Sequence, residues 1–309
     1  MSSLNHSISN RLIWAIALTA LTLVAEVAGG IWSNSLALMS DAAHVFLDLF
    51  ALILSLGAIR LAAQPPGERH SFGWHRAEVM ASLVNGLTVF LMALGILYEG
   101  SKRLIAPEQV QTTPMLVIAI LGLIANLLAA KGLHGHSHDD LNVRSAFLHV
   151  LGDAAASVGV IAGALLMRFT GWYLADPLIS IAIGLLILAG AGRVVRDAVH
   201  ILMEGVPHGL SISRVAERIR RIEGVSDVHH LNLWTVCSHI LALSAHVDVA
   251  PEHEGRKNEL LLRIEHELAE AFHITHTTIQ LECSACANGP LIKPLNHTQR
   301  AKSCDCIGH

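Results

Sequence analysis

Two pairs of a histidine and an aspartate, each pair spaced four residues apart, are the first indication of chemistry in this sequence. His44 and Asp48 lie in one apolar stretch, and His149 and Asp153 lie in another. Residues four apart share one face of an α-helix, so each stretch presents an imidazole and a carboxylate together. Two imidazoles and two carboxylates can close a tetrahedral shell around zinc, with bonds of about 2.0–2.2 Å. If the two stretches pack together, the sequence predicts a metal site between them.

Ionisable side chains inside apolar stretches carry a cost that argues for function. An aspartate at mid-bilayer costs about 2.5–3.5 kcal/mol on insertion scales. Interhelical hydrogen bonds that hold a bundle together are the structural alternative for the matched pairs. That alternative also stays open for Glu26, and buried polar packing is the favoured interpretation of Asn85 and Asn126. Asp41 either joins the stripe of His44 or lies one turn nearer the outside.

The composition places these pairs in a membrane protein. The chain has 309 residues, of which 52% are hydrophobic and 15% are charged, whereas a soluble protein carries about a quarter charged residues. The net charge of −4 gives no indication of a nucleic-acid partner. Apolar segments of membrane-spanning length are predicted at residues 11–31, 37–60, 77–98, 114–133, 143–168 and 177–197.

Lysine and arginine near the segment ends predict the orientation of the chain in the membrane. With the N-terminus in the cytoplasm, most of these cations lie inside, whereas Lys102, Arg103 and Arg168 lie outside. We therefore expect a multi-pass protein of the inner (cytoplasmic) membrane with both termini in the cytoplasm. No cleavable signal peptide is evident, because residues 1–10 hold no lysine or arginine before the first apolar run.

After about residue 200, charged residues interleave with short alternating stretches, which predicts a soluble α+β domain. Its elements are expected as a helix at 211–224, strands at 225–236 and 240–249, a helix at 255–272 and a strand at 277–282. Ser211 is the expected N-cap of the first helix. The predicted domains are 1–200 in the membrane, 201–287 as the α+β domain and 288–309 as a flexible tail.

Histidines and cysteines outside the helices suggest further metal contacts. The chain has 20 histidines, and histidine is the commonest metal ligand. A His-rich loop at 134–140 is interpreted either as a mobile metal-collecting segment or as a solvated linker. The histidines of this loop are His134, His136 and His138. The optional ligands of the tail are Cys304, Cys306 and His309.

Taken together, the motifs resemble the cation diffusion facilitator family of bacterial and organellar zinc transporters. The resemblance covers nearly the whole chain and is carried by SNSLALMSDAAHVFLD, HSFGWHRAE, SAFLHVLGDAAASVGV and DVHHLNLWTV…LSAHVDV. It is nearest to the bacterial zinc, cadmium and cobalt exporter branch. It implies an all-α six-helix membrane bundle followed by an α+β ferredoxin-like cytoplasmic domain, assembled as a homodimer in the lipid bilayer.

The resemblance also implies where metal binds. The transport site falls on the two helical pairs, and a histidine at position 44 is associated with a preference for zinc over cadmium. In the cytoplasmic domain, zinc is expected as a structural or regulatory ion, and the implied ligands are His229, His246, His276 and Glu282. Cys283 and Cys286 have the CxxC spacing of a zinc half-site. An exposed strand histidine is the alternative interpretation of His229.

The loop between the second and third segments departs from the family pattern. His70 remains from a peripheral zinc site, but Trp74 occupies the position of a second histidine, and His75 is expected to point elsewhere. Arg76 and Glu204 resemble the ion pair that fixes the soluble domain relative to the third helix. Two solvated charges beside the membrane are the alternative interpretation of this pair.

The expected function is proton-coupled efflux of a divalent metal by alternating access, with zinc most favoured and cadmium and cobalt also accepted. Because imidazole binds metal only when deprotonated, the site exchanges metal for protons, and His149 or His44 is the expected proton carrier. The alternatives are an intramembrane zinc-dependent hydrolase and a metal sensor with a membrane anchor. A hydrolase needs an open coordination position and a glutamate base. The chain has no HExxH motif, since HELAE at 266–270 lacks the second histidine.

Overall fold

The computed structural model describes residues 20–134, 141–237, 240–283 and 289–293 of the chain. Within these ranges it describes all side chains except those at 129, 132–134, 141–150 and 283.

Long apolar helices make up the first two-thirds of the described chain. They are α1 (Ala20–Ser33), α2 (Leu36–Ala62), α3 (Arg76–Ile105), α4 (Thr112–His134), α5 (Leu141–Thr170) and α6 (Ala175–Leu202). By length and composition, α2, α3, α6 and the Leu151–Thr170 part of α5 are each able to cross a membrane, while the apolar parts of α1 and α4 are shorter. The predicted helical architecture is confirmed, and the largest difference in bounds is at α3, which continues to Ile105 rather than ending at 98.

The outer surface of these helices is apolar over most of its length. Large side chains such as Leu52, Ile53, Leu91, Leu127 and Leu186 are exposed rather than packed against protein. Contiguous apolar surface of this extent is unfavourable in water but matches the hydrocarbon core of a bilayer. The fold therefore turns many large aliphatic groups outward, whereas acidic side chains such as Glu26, Asp41 and Asp176 are buried.

Small residues let the helices approach closely, as expected where lipid supplies no hydrophobic driving force between helices. A Cβ added at Gly29 of α1 would lie 2.6 Å from a side-chain carbon of Ile118 on α4. A Cβ added at Gly100 of α3 would lie 2.7 Å from Ile181 on α6. A larger residue at either position would require the facing isoleucine, or the helix that carries it, to shift.

The C-terminal domain has the predicted order of helix, strand, strand, helix, strand. Its elements are α7 (Ile212–Arg220), β1 (Val225–Cys237), β2 (Ile240–Val249), a 3₁₀ turn (Pro251–Arg256), α8 (Lys257–Phe272) and β3 (His276–Cys283). The sheet order is β1-β2-β3, with β1 and β2 antiparallel and β2 and β3 parallel. Ser211 caps α7 by accepting a hydrogen bond from the Arg214 amide, as its position predicts.

The two helices of this domain cover one face of the sheet. Leu243 and Val247 of β2 pack with Ile219 of α7 and with Ile264 and Leu268 of α8 in one buried core. Side chains alternate between the two faces along a strand, so His246 and Asp248 face the other way. This arrangement is the α+β ferredoxin-like class predicted from the sequence, and it leaves polar groups together on the face away from the helices.

Internal contacts divide the chain into two compact units. One unit is Met1–Gly57 with Ser82–Val195, and the other is Ala58–Ala81 with Arg196–His309. The adjoining ends of α2 and α3 and the loop between them therefore group with the C-terminal domain. The sequence predicts the boundary between the membrane and C-terminal domains at about residue 200 and gives no signal for this extra segment.

Candidate metal centres

The first candidate centre lies between α2 and α5. His44 and Asp48 share one face of α2, and Asp153 comes from α5. The Nε2 atom of His44 lies 3.8 Å from Asp48 Oδ2 and 3.8 Å from Asp153 Oδ1. Tetrahedral ligands with bonds of about 2 Å lie roughly 3.3 Å apart. Small side-chain adjustments would therefore let these three groups bind one ion.

The fourth residue predicted for this centre, His149, lies in α5 one turn before Asp153. Its side chain is outside the described part of the chain. The structure thus brings together three of the four predicted residues, and they come from the two helices that the spacing argument selects.

Two further carboxylic acids lie deeper in the first unit. Glu26 of α1 is 2% exposed and Asp41 of α2 is 4% exposed. The side chains of His44 and Asp48 are more accessible, with exposed fractions of 33% and 32%. Glu26 occupies space left by Gly122 of α4, where a Cβ would lie 2.9 Å from Glu26 Oε1. The sequence left the role of both acids open, and the structure places them in the protein interior.

The second candidate centre lies on the face of the C-terminal sheet that the helices leave uncovered. His229 of β1 is directly opposite His246 of β2 in the strand register. The Nδ1 atom of His246 lies 2.6 Å from Glu282 Oε1, and His229 Nε2 lies 3.4 Å from Glu282 Oε2. Three residues implied by the family resemblance therefore meet across the three strands. His229 is buried, so the alternative of an exposed strand histidine is wrong.

Two residues that the sequence did not single out complete this cluster. Asp248 is 1% exposed, and its Oδ2 atom lies 3.4 Å from His229 Nδ1. Burial raises the pKa of the Asp248 carboxyl, although the nearby His229 opposes this effect. His230 contacts both other histidines. Partial burial lowers the pKa of the His230 imidazole, which favours the neutral form that binds metal.

Alternation in β2 was a usable signal for Asp248, because it follows His246 by two residues on the same face. His230 gave no such signal. Adjacent residues of a regular strand point to opposite faces, so strand alternation alone does not bring His230 to the face of His229.

The structure does not bring His276 to this cluster. It begins β3 opposite Ala242, whereas Glu282 is opposite Asp248. Six residues of extended strand separate His276 from Glu282, which corresponds to about 20 Å. The ring of His276 instead contacts Phe72, with centroids 5.2 Å apart. The Cys283 side chain and the whole of Cys286 lie outside the described residues.

The loop between α2 and α3 shows no metal cluster within the described residues. His70 packs against Trp74, with ring centroids 4.0 Å apart. His75, the neighbouring histidine, belongs to none of the candidate ligand groups either. The predicted loop ligands His134, His136 and His138 lie outside the part of the chain whose side chains are described.

Arg76 and Glu204 form the ion pair that the sequence suggests. Arg76 Nη2 donates to Glu204 Oε1 at 3.2 Å, within the unit that contains both residues. Both side chains are well exposed. Exposed ion pairs contribute about 0–1 kcal/mol to the free energy of folding. This contact therefore adds little stability, and its main effect is on the orientation of the chain.

Comparisons with known families cover both parts of the chain. Residues 12–203 match the family model described as the cation efflux transmembrane domain. Residues 207–284 match the model described as the cytoplasmic domain of cation efflux proteins.

Several curated proteins resemble the chain over most of its length. The metal cation efflux system protein CzcD of Cupriavidus metallidurans is 40% identical over 284 residues, covering 91% of this chain and 89% of the relative. The zinc transporter ZitB of Escherichia coli is 40% identical, covering 91% of this chain and 90% of the relative. The cadmium, cobalt and zinc/H(+)-K(+) antiporter of Bacillus subtilis is 40% identical, covering 90% of each.

Among solved structures, the metal-bound C-terminal domain of the CzcD transporter is 32% identical to part of the chain. The match covers 24% of this chain and 99% of that domain, with a TM-score of 0.22.

Proposed function

This chain belongs to the cation efflux family of multi-pass membrane transporters, and we propose that it exports zinc from the cytoplasm in exchange for protons. The observation that carries the proposal is the meeting of His44 and Asp48 on α2 with Asp153 on α5. We assign His149 as the fourth ligand, one turn before Asp153. The names of the related zinc transporter and of the related antiporter support both the metal and the exchange.

Charge balance explains why such a site exchanges metal for protons. A dication held by Asp48 and Asp153 gives a site with no net charge, which suits a low-dielectric interior. Once the metal leaves, two carboxylates remain, and an uncompensated charge in the bilayer is costly. Protons taken up by the imidazoles and carboxylates restore neutrality before the empty site opens to the cytoplasm again. Imidazole must lose its proton to bind the next metal, so the two cargoes compete for the same atoms.

The ligand types favour particular metals. Two nitrogens and two carboxylate oxygens suit zinc, with cobalt and cadmium as the closest competitors, because these ions accept imidazole readily. Magnesium and calcium prefer all-oxygen shells and higher coordination numbers. We therefore propose zinc as the main substrate and exclude the hard dications.

The remaining assignments follow from the same proposal. The protein works as a homodimer in the inner membrane, with both termini in the cytoplasm. His229, His246 and Glu282 bind zinc in the cytoplasmic domain as a structural or regulatory ion. The zinc hydrolase considered from the sequence has no support among the relatives, whose names describe transporters, and the chain is not an enzyme.

A flux experiment tests this function. Purified protein is reconstituted in vesicles loaded with a zinc-sensitive dye, and external zinc is added with the vesicle interior acidic, neutral or alkaline. Exchange predicts that zinc uptake is fastest with an acidic interior and slows when the gradient is reversed. A panel of zinc, cadmium, cobalt, manganese and magnesium should show uptake of the first three only. Zinc uptake that is equal for all three gradients would contradict proton coupling.

A further inference from the structure

The geometry points to His230 as a third imidazole ligand of the C-terminal metal site, alongside His229, His246 and Glu282. This inference rests on the proposed binding of zinc by that domain. It adds a residue that the sequence analysis did not single out, and it changes the donor set from two nitrogens to three.

A β-bulge delivers His230 to the metal face. From His229 to Asn232 the chain advances three residues on β1, while the partners on β2 advance only two, from His246 to Ser244. His230 takes up the extra residue with a φ of 49°, in the left-handed region that is unusual for a side chain other than glycine. Backbone strain of this kind is found where a side chain is re-aimed for function.

The bulge has a second consequence that keeps the fold intact. Val228 and Leu231 both lie in the buried core beneath the helices. They are three residues apart, which regular alternation would place on opposite faces. The extra residue resolves this conflict, because it lets both histidines between them face away from the core. The sequence HH between two core residues is therefore compatible with the fold only if a bulge occurs.

The three imidazole rings form a compact triangle. Their centroids are 4.8 Å apart for His229 and His230, 4.9 Å for His230 and His246, and 5.3 Å for His229 and His246. One ring nitrogen from each lies within 4.8 Å of the other two. Crowding three histidines in this way is favourable when a cation lies between them, since one nitrogen of each ring then has a partner.

The carboxylates of the cluster supply the matching negative charge. Within the described residues, neither Glu282 nor Asp248 forms an ion pair with a lysine or arginine. Asp248 faces the Nδ1 side of His229, and Glu282 faces the Nε2 side. A carboxylate beside one ring nitrogen favours the tautomer that carries its proton on that nitrogen, which leaves the other nitrogen to bind metal. Asp248 is thus a positioning residue, and Glu282 is the oxygen ligand.

A short segment near the end of the described chain holds the bulge in place. The amide of His230 donates to Pro290 O at 3.1 Å, and the amide of Leu231 donates to Leu291 O at 2.8 Å. Gly289 lies directly against the ring, since a Cβ added there would be 2.6 Å from His230 Nε2. This contact limits the positions open to the His230 ring and keeps it beside the other two.

The experiment measures metal binding by the full-length protein in detergent. All variants carry Asp48→Asn and Asp153→Asn, so that the membrane site is disabled. Zinc affinity is measured by competition with a chromophoric chelator, and cobalt(II) visible absorption reports changes in the coordination geometry and ligand set. His230→Asn is the main variant, because asparagine tolerates the left-handed backbone but lacks the imidazole. His266→Asn, on an exposed part of α8, is the matched control.

We expect His230→Asn to weaken zinc binding at this site by about 10–100-fold and to change the cobalt(II) visible bands, while His266→Asn leaves both unchanged. His229→Ala serves as the reference for complete loss of the site. If His230→Asn matches the parent while His229→Ala loses a metal ion, the inference about His230 is wrong and the site stands. If His229→Ala also matches the parent, the proposed C-terminal site itself is wrong.

Discussion

His44 is the residue at which the two helices of the membrane centre meet. Its Nε2 atom is equidistant, at 3.8 Å, from a carboxylate of its own helix and a carboxylate of α5. A metal bound at this nitrogen would link α2 to α5. Protonation of the nitrogen would leave only a weaker interaction between the two helices. In the proposed function, metal binding and protonation at this one ring would therefore alter the contact between two helices.

Replacing His44 with aspartate tests its part in metal selection. His44→Asp removes a nitrogen donor and adds a carboxylate that can bind through two oxygens, which suits the larger cadmium ion. We expect the ratio of zinc to cadmium uptake by proteoliposomes to fall by about tenfold, equivalent to about 1.4 kcal/mol of discrimination. His266→Asp is the control. An unchanged ratio would show that His44 is not a ligand.

Gly289 offers a test of the C-terminal site that alters no ligand. In Gly289→Ala the new methyl group would lie 2.6 Å from His230 Nε2 and 2.9 Å from a ring carbon of His229. We expect zinc binding at this site to weaken by about tenfold, a loss similar to that of a displaced supporting group. Gly255→Ala is the control, because a Cβ there meets nothing within 4 Å. Equal zinc affinities for the two variants would argue against close packing at Gly289.

At the scale of single residues, the sequence predicts which side chains lie together wherever the repeat of side-chain directions along an element is regular. The spacing of four residues placed His44 beside Asp48 and identified Asp153 as a ligand on the second helix, because side chains four apart lie on one face of an α-helix. It missed His230, whose direction depends on a bulge, and it proposed His276, which strand register keeps away from Glu282. Neither a bulge nor a register can be read from residue types alone.

At the scale of elements, the start of α6 caps the start of α2. Asp176 accepts hydrogen bonds from the Ser35 hydroxyl at 2.6 Å, from the Leu36 amide at 2.8 Å and from the Ala37 amide at 3.2 Å. The side chain is fully buried. A carboxylate at a helix N-terminus is favourable for both its hydrogen bonds and the helix dipole. This contact fixes the helix that carries His44 and Asp48.

Removing this cap should destabilise the membrane unit. Asp176→Ala leaves a hydroxyl and two amides without their acceptor, which corresponds to a loss of about 2–4 kcal/mol. We expect a lower apparent Tm in detergent, measured by the thermal unfolding of purified protein. Asp197→Ala, at the exposed other end of α6, is the control and should unfold at the parent temperature. Equal unfolding temperatures for the two variants would contradict the capping role.

The order of the elements was predictable, whereas the contacts between them were not. Hydrophobic runs and alternation gave six helices and the helix-strand-strand-helix-strand order, and Ser211 marked a helix start. Asp176 lies just before the predicted start of its segment at 177, and nothing local indicates that it caps another helix. Contacts of this kind join residues about 140 apart, so they depend on tertiary packing.

At the scale of the whole molecule, the described residues of each compact unit hold one candidate metal centre. The first unit contains His44, Asp48 and Asp153, and the second contains His229 and its neighbours. The His-rich loop at 134–140, between α4 and α5, lies outside the described side chains, and its proposed role is to collect metal before it enters the membrane site.

Replacing residues 134–139 with a glycine-serine segment of equal length tests this role without shortening the connection. In this proposal the loop histidines bind zinc weakly, so they raise its local concentration without forming part of the membrane site. We expect the zinc concentration for half-maximal uptake to rise by about 2–5-fold, with little change in the maximal rate. The measurement is initial uptake by proteoliposomes across a range of zinc concentrations. Complete loss of uptake would instead make the loop part of the path.

The central claim is that zinc crosses the membrane on the ligands of α2 and α5, and zinc uptake by Asp153→Asn tests it most directly. The substitution keeps the size of the side chain but removes its charge, and Asp197→Asn provides the exposed control. The account predicts that Asp153→Asn lowers the initial uptake rate by at least about 100-fold, while its unfolding temperature and elution volume match the control. Uptake at the control rate by a folded Asp153→Asn protein would contradict the account.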